Sequence, residues 1–216
     1  MTLNAKVLKL YILPMKNFEF HTYFKRVCDT LNSIDKESVT RLVEILLQAR
    51  ENENTVFIFG NGGSGATASH VTGDFLKGIS YGLDKRFRFQ CLNDNVSGMM
   101  AISNDLTYEE IFIEQLKVFL KKDDIVIGIS GSGNSANVVK ALEYARLKGA
   151  NTVAFCGYKG GKIKNIADLV IHAPVNDMEV TEDVHIIIFH AIKQAMMKQL
   201  KGDDFSMGAT YDARIK

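Results

Sequence analysis

Short apolar runs alternate with helical patterns along most of the chain, and this alternation restricts the fold more than any other feature. The predicted strands are Thr55–Phe59, Phe87–Leu92, Asp124–Ser130, Asn151–Cys156 and Leu169–Val175. Most positions in these runs are apolar, which is typical of parallel strands that are covered on both faces. The sequence therefore predicts an α/β fold in which helices flank a parallel sheet on both sides.

Helical patterns fill the segments between these strands. Lys36–Arg50 places four aliphatic residues on one side, as an amphipathic helix does. Thr107 and Glu110 form a capping-box pattern, which predicts that a helix begins there. The other predicted helices are Phe18–Asn32, Ser64–Lys77, Asn134–Lys148 and Val180–Leu200.

The 216 residues suit one well-cored domain, which we predict at 15–202. The apolar stretch in residues 1–14 is interrupted by Lys6 and Lys9 and is too short to span a bilayer. We therefore predict an N-terminal extension there, rather than a signal peptide or a membrane segment. Residues 203–216 are mostly polar and form a predicted C-terminal tail.

Charge and cysteine content restrict the partners and the compartment. The formal net charge is +1 and no long basic run occurs, so we expect no nucleic-acid partner. The three cysteines, Cys28, Cys91 and Cys156, are scattered and show no CxxC pairing. An odd number of unpaired cysteines favours a reducing compartment, and we expect a cytoplasmic protein without membrane contact.

Two similar glycine-rich loops stand at equivalent places, each after a predicted strand and before a predicted helix. They are Gly60–Gly65 (GNGGSG) and Ser130–Ser135 (SGSGNS). Ligands of an open parallel sheet bind beyond the carboxyl ends of its strands, where such loops present backbone N–H groups and a helix N-terminus to an anion. Tight turns alone would explain one such loop, but the serine-rich pair predicts a phosphate-binding site.

A dinucleotide site is the main alternative use of these loops. The first loop matches the G-x-G-x-x-G fingerprint, and Gly131–Ala136 matches the variant that ends in alanine. The fingerprint also requires an acidic residue about 20 positions further on, at the end of the second strand. Asp84 precedes that strand and Asp94 lies too far along, and no P-loop Gly-Lys-Ser/Thr occurs. We therefore expect no nucleotide cofactor.

Three stretches of the chain resemble the phosphoheptose isomerases of the sugar isomerase (SIS) family. They are GNGGS at 60–64, AISNDLTYEEIF at 101–112 and ISGSGNSANVVKAL at 129–142, and the similarity extends from about Asn32 to Leu200. The resemblance implies a single SIS domain, in which a five-stranded parallel sheet lies between two helical layers. It also implies a homotetramer with active sites between subunits. The implied reaction interconverts sedoheptulose 7-phosphate and D-glycero-D-manno-heptose 7-phosphate.

The resemblance also implies roles for individual residues. Asp74 and His190 would be catalytic, and some family members hold zinc at the positions of His70, Asp74, Glu182 and His190. The implied phosphosugar ligands are Asn61, Gly62, Ser64, Asn104, Asp105, Ser130, Gly131, Ser132, Ser135 and Glu182. Two positions depart from the family pattern, since Asp74 replaces the usual Glu and Glu182 the usual Gln. Both departures keep an oxygen ligand, but the first shortens the base and the second adds a negative charge.

Helical spacing bears on the same residues independently. An aldose–ketose isomerase needs a base at the carbon atom and an acid at the oxygen atom. His70 and Asp74 are four positions apart and therefore share one helix face, so they can act on the same substrate. Glu182 and His190 lie eight positions apart, roughly 80° around a helix, so they can flank one site without stacking. Asp183 aligns better with His190, so the spacing alone favours Asp183 and the resemblance favours Glu182.

Other functions of SIS proteins stay open at this point. One is a protein without catalysis that binds a phosphosugar or a protein partner, as the family member that associates with the replication initiator does. Another is an isomerase or lyase of a different phosphosugar. A transcription regulator is disfavoured because no helix-turn-helix pattern precedes the fold. The joint presence of His70, Asp74, Glu182 and His190 favours catalysis.

Overall fold

Five parallel strands form one sheet in the computed structural model, which describes residues 20–202 and residue 208. The strands are β1 (Thr55–Gly60), β2 (Arg88–Cys91), β3 (Ile125–Ser130), β4 (Asn151–Cys156) and β5 (Leu169–His172). The predicted α/β fold with a five-stranded parallel sheet is confirmed. The predicted extension at 1–14 and, apart from residue 208, the tail at 203–216 lie outside the described residues. The boundaries of the domain at 15 and 202 stay a prediction.

Helices cover both faces of this sheet. They are α1 (Phe20–Ser33), α2 (Lys36–Glu51), α3 (Gly62–Gly73), α4 (Val96–Asp105), α5 (Ile113–Phe119), α6 (Ala136–Leu147), α7 (Ile163–Ile166) and α8 (Met178–Lys201). A π-helical segment, Asp74–Ile79, continues α3 directly. Among the described residues, no helix combines the length and the apolar character that a membrane span requires.

The helix predicted to begin at Thr107 begins there as a short 3-10 turn. Thr107 is the N-cap residue of this turn, Tyr108–Glu110, but makes no side-chain capping bond, and α5 begins only at Ile113. The capping-box pattern therefore marked the start of helical structure but not the start of the α-helix.

The core consists of two apolar layers, one on each face of the sheet. Alternate residues in the centre of β1 point to opposite layers, and the four residues from Val56 to Phe59 are at most 1% exposed. Val56 and Ile58 pack in the layer that α2, α3 and α8 cover. Phe57 and Phe59 pack in the layer that α5 and α6 cover, where Phe59 stacks on Phe112 with ring centroids 4.7 Å apart. This double burial explains why β1 is apolar over most of its length.

The strand order places the two glycine-rich loops side by side. The sheet runs β2-β1-β3-β4-β5, so the chain leaves β1 in one direction toward β2 and returns to β3 on the other side. The carboxyl ends of β1 and β3 are therefore adjacent at the switch point of the sheet, where ligands of such folds bind. Loop 1, residues 60–65, follows β1 and loop 2, residues 130–135, follows β3.

Candidate active site

A pair of asparagine side chains joins loop 1 to the helix that follows loop 2. The Asn61 amide donates to Asn137 Oδ1 and accepts from Asn137 Nδ2, both at 2.9 Å. Tyr108 donates its hydroxyl proton to Asn61 Oδ1, also at 2.9 Å. Asn61 is the N-cap residue of α3, and Asn137 lies in the first turn of α6. The two helix N-termini are therefore held in a fixed relation to each other.

Asn93, which follows β2, holds the beginning of loop 1. Its side chain accepts from the Gly60 N–H at 3.2 Å and donates to the Gly60 carbonyl at 2.8 Å. Beside it opens a cavity of about 330 Å³. The cavity is lined by Gly60, Asn61, Gly62, Asn93, Met99, Met100, Ser103, Tyr108 and Ile111. Sequence reasoning missed Asn93, Tyr108 and Asn137, although each is a polar residue next to a strand end or a loop.

Loop 2 presents its serines at the end of β3. The hydroxyls of Ser130 and Ser135 lie 3.1 Å apart, and Ser130 is 4% exposed. Ser132 is half-buried, and its Oγ accepts a hydrogen bond from the Asn134 N–H at 3.2 Å. A second cavity, of about 660 Å³, lies beside Ser132 and Asn134 and is also lined by Tyr158, Lys159, Gly161, Pro174 and Asn176.

The first turns of α8 contact both loops. A Cβ on Gly63 of loop 1 would collide with the Glu182 carboxylate, and one on Gly131 of loop 2 would lie 2.5 Å from the sulfur of Met178. Burial raises the pKa of the Glu182 carboxyl above its ordinary value, and the negative charges of Glu179 and Asp183 raise it further. Glu182 is therefore placed against loop 1, where the resemblance expects a substrate ligand.

Further along α8, His190 meets His70, which lies near the end of α3, and Asp74, which begins the π-helical segment. The Nε2 atoms of the two histidines lie 3.0 Å apart, and each lies 3.6 Å from Asp74 Oδ2. The two imidazoles are about half exposed, whereas the Asp74 side chain is 20% exposed. The structure thus brings together three of the four residues that the resemblance named as possible zinc ligands.

The spacing of these three atoms fits a metal ion. A tetrahedral zinc ion with bonds of about 2.0–2.1 Å separates its ligand atoms by about 3.3–3.4 Å. The observed separations of 3.0, 3.6 and 3.6 Å lie close to that value. Glu182 lies eight residues before His190, roughly 12 Å along the helix axis. Among the described residues, the group that could hold a metal is His70, Asp74 and His190, and a ligand role for Glu182 stays a prediction.

Lys193 completes the cluster, and sequence reasoning missed it. Its ammonium donates to Asp74 Oδ1 at 2.5 Å, on the opposite side of the carboxylate from the imidazoles. A lysine within a helix is usually a solvated residue, so nothing local distinguishes Lys193. Its position three residues after His190 was the only available signal.

The predicted pair Asn104 and Asp105 lies at the exposed end of α4. The Asn104 amide donates to Asp105 Oδ1 at 2.8 Å. The neighbouring Ser103 lines the cavity at loop 1, so this end of α4 borders the site. Whether the pair contacts substrate stays a prediction.

His185 is buried beneath the site in α8, 1% exposed, and its ring stands edge-on to Phe155. Its Nε2 lies 3.3 Å from the Cys156 carbonyl, and its Nδ1 has no partner within the described part of the chain. Burial lowers the pKa of His185 to about 4, which the Cys156 carbonyl partly opposes. The ring is therefore neutral at pH 7, with the Cys156 carbonyl as its polar contact.

We expect His185 to reduce stability in acid. The unfolded chain takes up a proton at this histidine near pH 6.5, whereas the folded chain does so only near pH 4. As the pH falls from 6.5 to 4, the free energy of unfolding therefore decreases by about 3 kcal/mol. Urea unfolding at pH 7 and pH 4.5 should show a smaller acid loss for His185→Phe than for wild type. His21→Phe, at an exposed position of α1, is the control. An equal loss in wild type and His185→Phe would contradict this origin.

Two glycine- and serine-rich loops at a switch point, with a histidine–carboxylate cluster on the adjoining helices, are the features expected of an α/β enzyme of the sugar-phosphate isomerase class. Comparison with known proteins agrees, since the SIS domain family matches residues 19–157. The phosphoheptose isomerase of Helicobacter pylori (strain P12) is 37% identical over 182 residues, which are 83% of this chain and 92% of that protein. The chain belongs to the phosphoheptose isomerases of the SIS family.

Two further relatives support this assignment. The phosphoheptose isomerase of Clostridium acetobutylicum is 35% identical over 168 residues, which are 77% of this chain and 85% of that protein. The solved structure of the phosphoheptose isomerase from Neisseria gonorrhoeae superposes with a TM-score of 0.75 at 26% identity. That alignment covers 82% of this chain and 95% of the other.

Proposed function

We propose that the protein interconverts sedoheptulose 7-phosphate and D-glycero-D-manno-heptose 7-phosphate by proton transfer through an enediol. The observation that carries this proposal is the position of α8. Its first turns contact both serine–glycine loops, and its later turns bring His190 to His70 and Asp74. One end of the site therefore suits a phosphate and the other suits acid–base chemistry at a carbonyl.

Asp74 is the base in this proposal. In the metal-free cluster, its Oδ2 removes the proton from the carbon beside the carbonyl and returns it to the former carbonyl carbon, which converts ketose to aldose. There the two imidazoles move the second proton between the sugar oxygens. Because their Nε2 atoms lie 3.0 Å apart, one of them donates and the other accepts, so the pair can give a proton at one atom and take one at another.

Zinc is proposed as a cofactor, held by His70, Asp74 and His190 with Glu182 as the predicted further ligand. The separations of the three ligand atoms and their mixture of nitrogen and oxygen donors support this assignment. When bound, the ion would occupy the Nε2 atoms that otherwise carry the shuttled proton, and in place of the imidazoles it would polarise the sugar carbonyl and stabilise negative charge on its oxygen.

Loop 2 is proposed to bind the phosphate through Ser130, Ser132 and Ser135 together with backbone N–H groups at the start of α6. Ser132 is the serine of this loop that lines the larger cavity. We expect Ser132→Ala to weaken sugar-phosphate binding roughly tenfold, because a hydrogen bond to a charged group is lost. Calorimetric titration with sedoheptulose 7-phosphate checks this, with Ser38→Ala, at a half-buried position of α2, as control. An unchanged dissociation constant would remove Ser132 from the phosphate site.

A homotetramer in the cytoplasm is the proposed working form. Several large apolar side chains are exposed on the single chain, among them Phe20 at 63%, Phe24 at 62% and Leu147 at 82%. Such surface is typically covered by association. Cys91 and Cys156 are free and buried, and burial raises their pKa values to about 12 and about 11, which suits unreactive thiols in a reducing compartment. Light scattering in solution measures the number of chains directly.

Proton exchange tests the reaction itself. Wild-type protein, stripped of metal or loaded with zinc, is incubated with sedoheptulose 7-phosphate in D₂O and followed by NMR. Deuterium at the carbon beside the carbonyl, or a new aldose signal, supports isomerisation, and its dependence on zinc reports the role of the metal. Binding without exchange in both samples would instead indicate a phosphosugar-binding protein.

A further inference from the structure

The two oxygens of the Asp74 carboxylate face different partners. Oδ2 lies 3.6 Å from Nε2 of both His70 and His190. Oδ1 instead accepts a hydrogen bond from the Lys193 ammonium at 2.5 Å. Because Lys193 follows His190 by three positions, one face of α8 supplies both an imidazole and a fixed positive charge to the cluster.

The local structure leaves room for this ammonium and holds it in place. Gly78 lies one turn after Asp74 in the π-helical segment, and a Cβ there would lie 3.0 Å from both Cε and Nζ of Lys193. Ile192 and Met196 are buried in the core, which fixes the rotation of α8 and hence the direction of the lysine. The Lys193 and Asp74 side chains are 16% and 20% exposed, so water screens this pair less than a surface pair.

We propose that Lys193 is a positioning residue that occupies Oδ1 of Asp74 and limits the affinity of the cluster for divalent metal ions. This inference rests on the proposed function, in which His70, Asp74 and His190 hold zinc. With Oδ1 occupied, Asp74 presents Oδ2 alone to the imidazoles. The ammonium also offsets the negative charge of the carboxylate, so a bound ion is held less tightly and exchanges with the solution.

Lys193 has two opposing effects on metal affinity. A hydrogen bond that orients a metal-ligating carboxylate improves affinity, typically by about 10–100-fold. A positive charge beside the site reduces affinity, because its Coulomb repulsion with a divalent ion is twice that with a monovalent ion and partial burial limits screening. For an ammonium about 5 Å from a divalent ion, at an effective dielectric constant of about 20, the repulsion exceeds the free energy of a roughly 100-fold change in affinity, so the repulsion is the larger effect. Removal of the charge is therefore expected to tighten metal binding.

The test uses three variants of the full chain. Lys193→Met keeps an apolar stem and removes the charge, and Lys193→Arg keeps the charge. Lys198→Met removes a charge from an exposed position of the same helix and controls for net charge. Cobalt(II) binding is followed by visible absorption, and zinc(II) affinity by competition with a chromophoric chelator. We expect Lys193→Met to bind both ions at least about tenfold more tightly, with shifted cobalt bands because Asp74 can offer both oxygens. The other two variants should bind as wild type does.

Equal or weaker metal binding by Lys193→Met than by wild type would overturn this inference. An absence of metal uptake by every variant would overturn it as well. Both results are measurements of metal binding and do not require the protein to isomerise a sugar. Isomerisation is measured separately by the proton-exchange experiment, with and without metal. Conversely, tighter binding by Lys193→Met in a protein that shows no exchange would support this inference and reject the isomerase reaction.

Discussion

Asp74→Asn is expected to lower kcat for the sugar phosphate by about 10²–10⁴-fold while the fold persists. The amide has the size of the carboxylate but cannot take a proton from carbon. Asp74 lies 20% exposed between two imidazoles and Lys193, and no neighbouring carboxylate in the cluster can replace it. Steady-state kinetics gives the effect on kcat, and circular dichroism with thermal unfolding verifies the fold.

Two matched variants make this result specific. The first is Asp183→Asn, at the residue that helical spacing alone favoured as the partner of His190. In the wild-type protein the Asp183 carboxylate accepts a hydrogen bond from Tyr23 at 2.7 Å, away from the cluster. This variant should retain wild-type kcat. Asp74→Glu restores the carboxylate that the family usually has and should recover most of the lost rate. An Asp74→Asn enzyme as fast as wild type would remove Asp74 from the mechanism.

The sheet was predictable from the sequence because burial on both faces leaves a simple signal. Asn151–Cys156 was predicted with the observed boundaries, and the other four strands within three residues at each end. The order of the strands was not predictable from these runs, since parallel neighbours carry no local mark of which strand they pair with. The position of the site at the switch point therefore depended on general properties of such sheets.

Two helices escaped prediction for physical reasons. None of the residues of α4, Val96–Asp105, is buried, so the apolar periodicity that reveals most helices is weak there. α7, Ile163–Ile166, is a single turn with one buried residue. The change from α-helix to π-helix at Asp74 was equally hidden, although it sets the direction of the proposed base.

The candidate site was predictable only in part. His70 and Asp74 are four positions apart, so helical spacing predicted that they lie together. His190 lies 116 or more residues further along the chain. Only the resemblance placed it beside them. Helical spacing alone pointed to Asp183, which in the structure bonds to Tyr23 of α1. Lys193 could not be identified, because its role depends on space left by Gly78 in another element.

Gly133→Ala is expected to destabilise the protein by about 3 kcal/mol and to abolish measurable sugar-phosphate binding. Gly133 has φ +67°, a left-handed conformation that costs an alanine about 1–2 kcal/mol. Its Cβ would also collide with the Gly160 carbonyl oxygen and lie 2.9 Å from the Gly161 nitrogen. Overpacking of this kind costs about 1–3 kcal/mol, and backbone atoms cannot move aside as a flexible side chain can.

The binding loss follows from the hydrogen bonds that Gly133 makes. Its N–H donates to the Ser130 carbonyl at 2.9 Å, and its carbonyl accepts from the Ile163 N–H at 3.1 Å, so a displaced Gly133 displaces the serines of loop 2. Urea unfolding and calorimetric titration measure both effects. Gly73→Ala is the control, because its Cβ meets no atom within 4 Å and its φ is ordinary for a helix. Suppose instead that Gly133→Ala is as stable as this control and binds sugar phosphate equally well. Loop 2 could then separate from residues 160–161 at little cost in free energy. It would not be the rigid phosphate-binding loop that we propose.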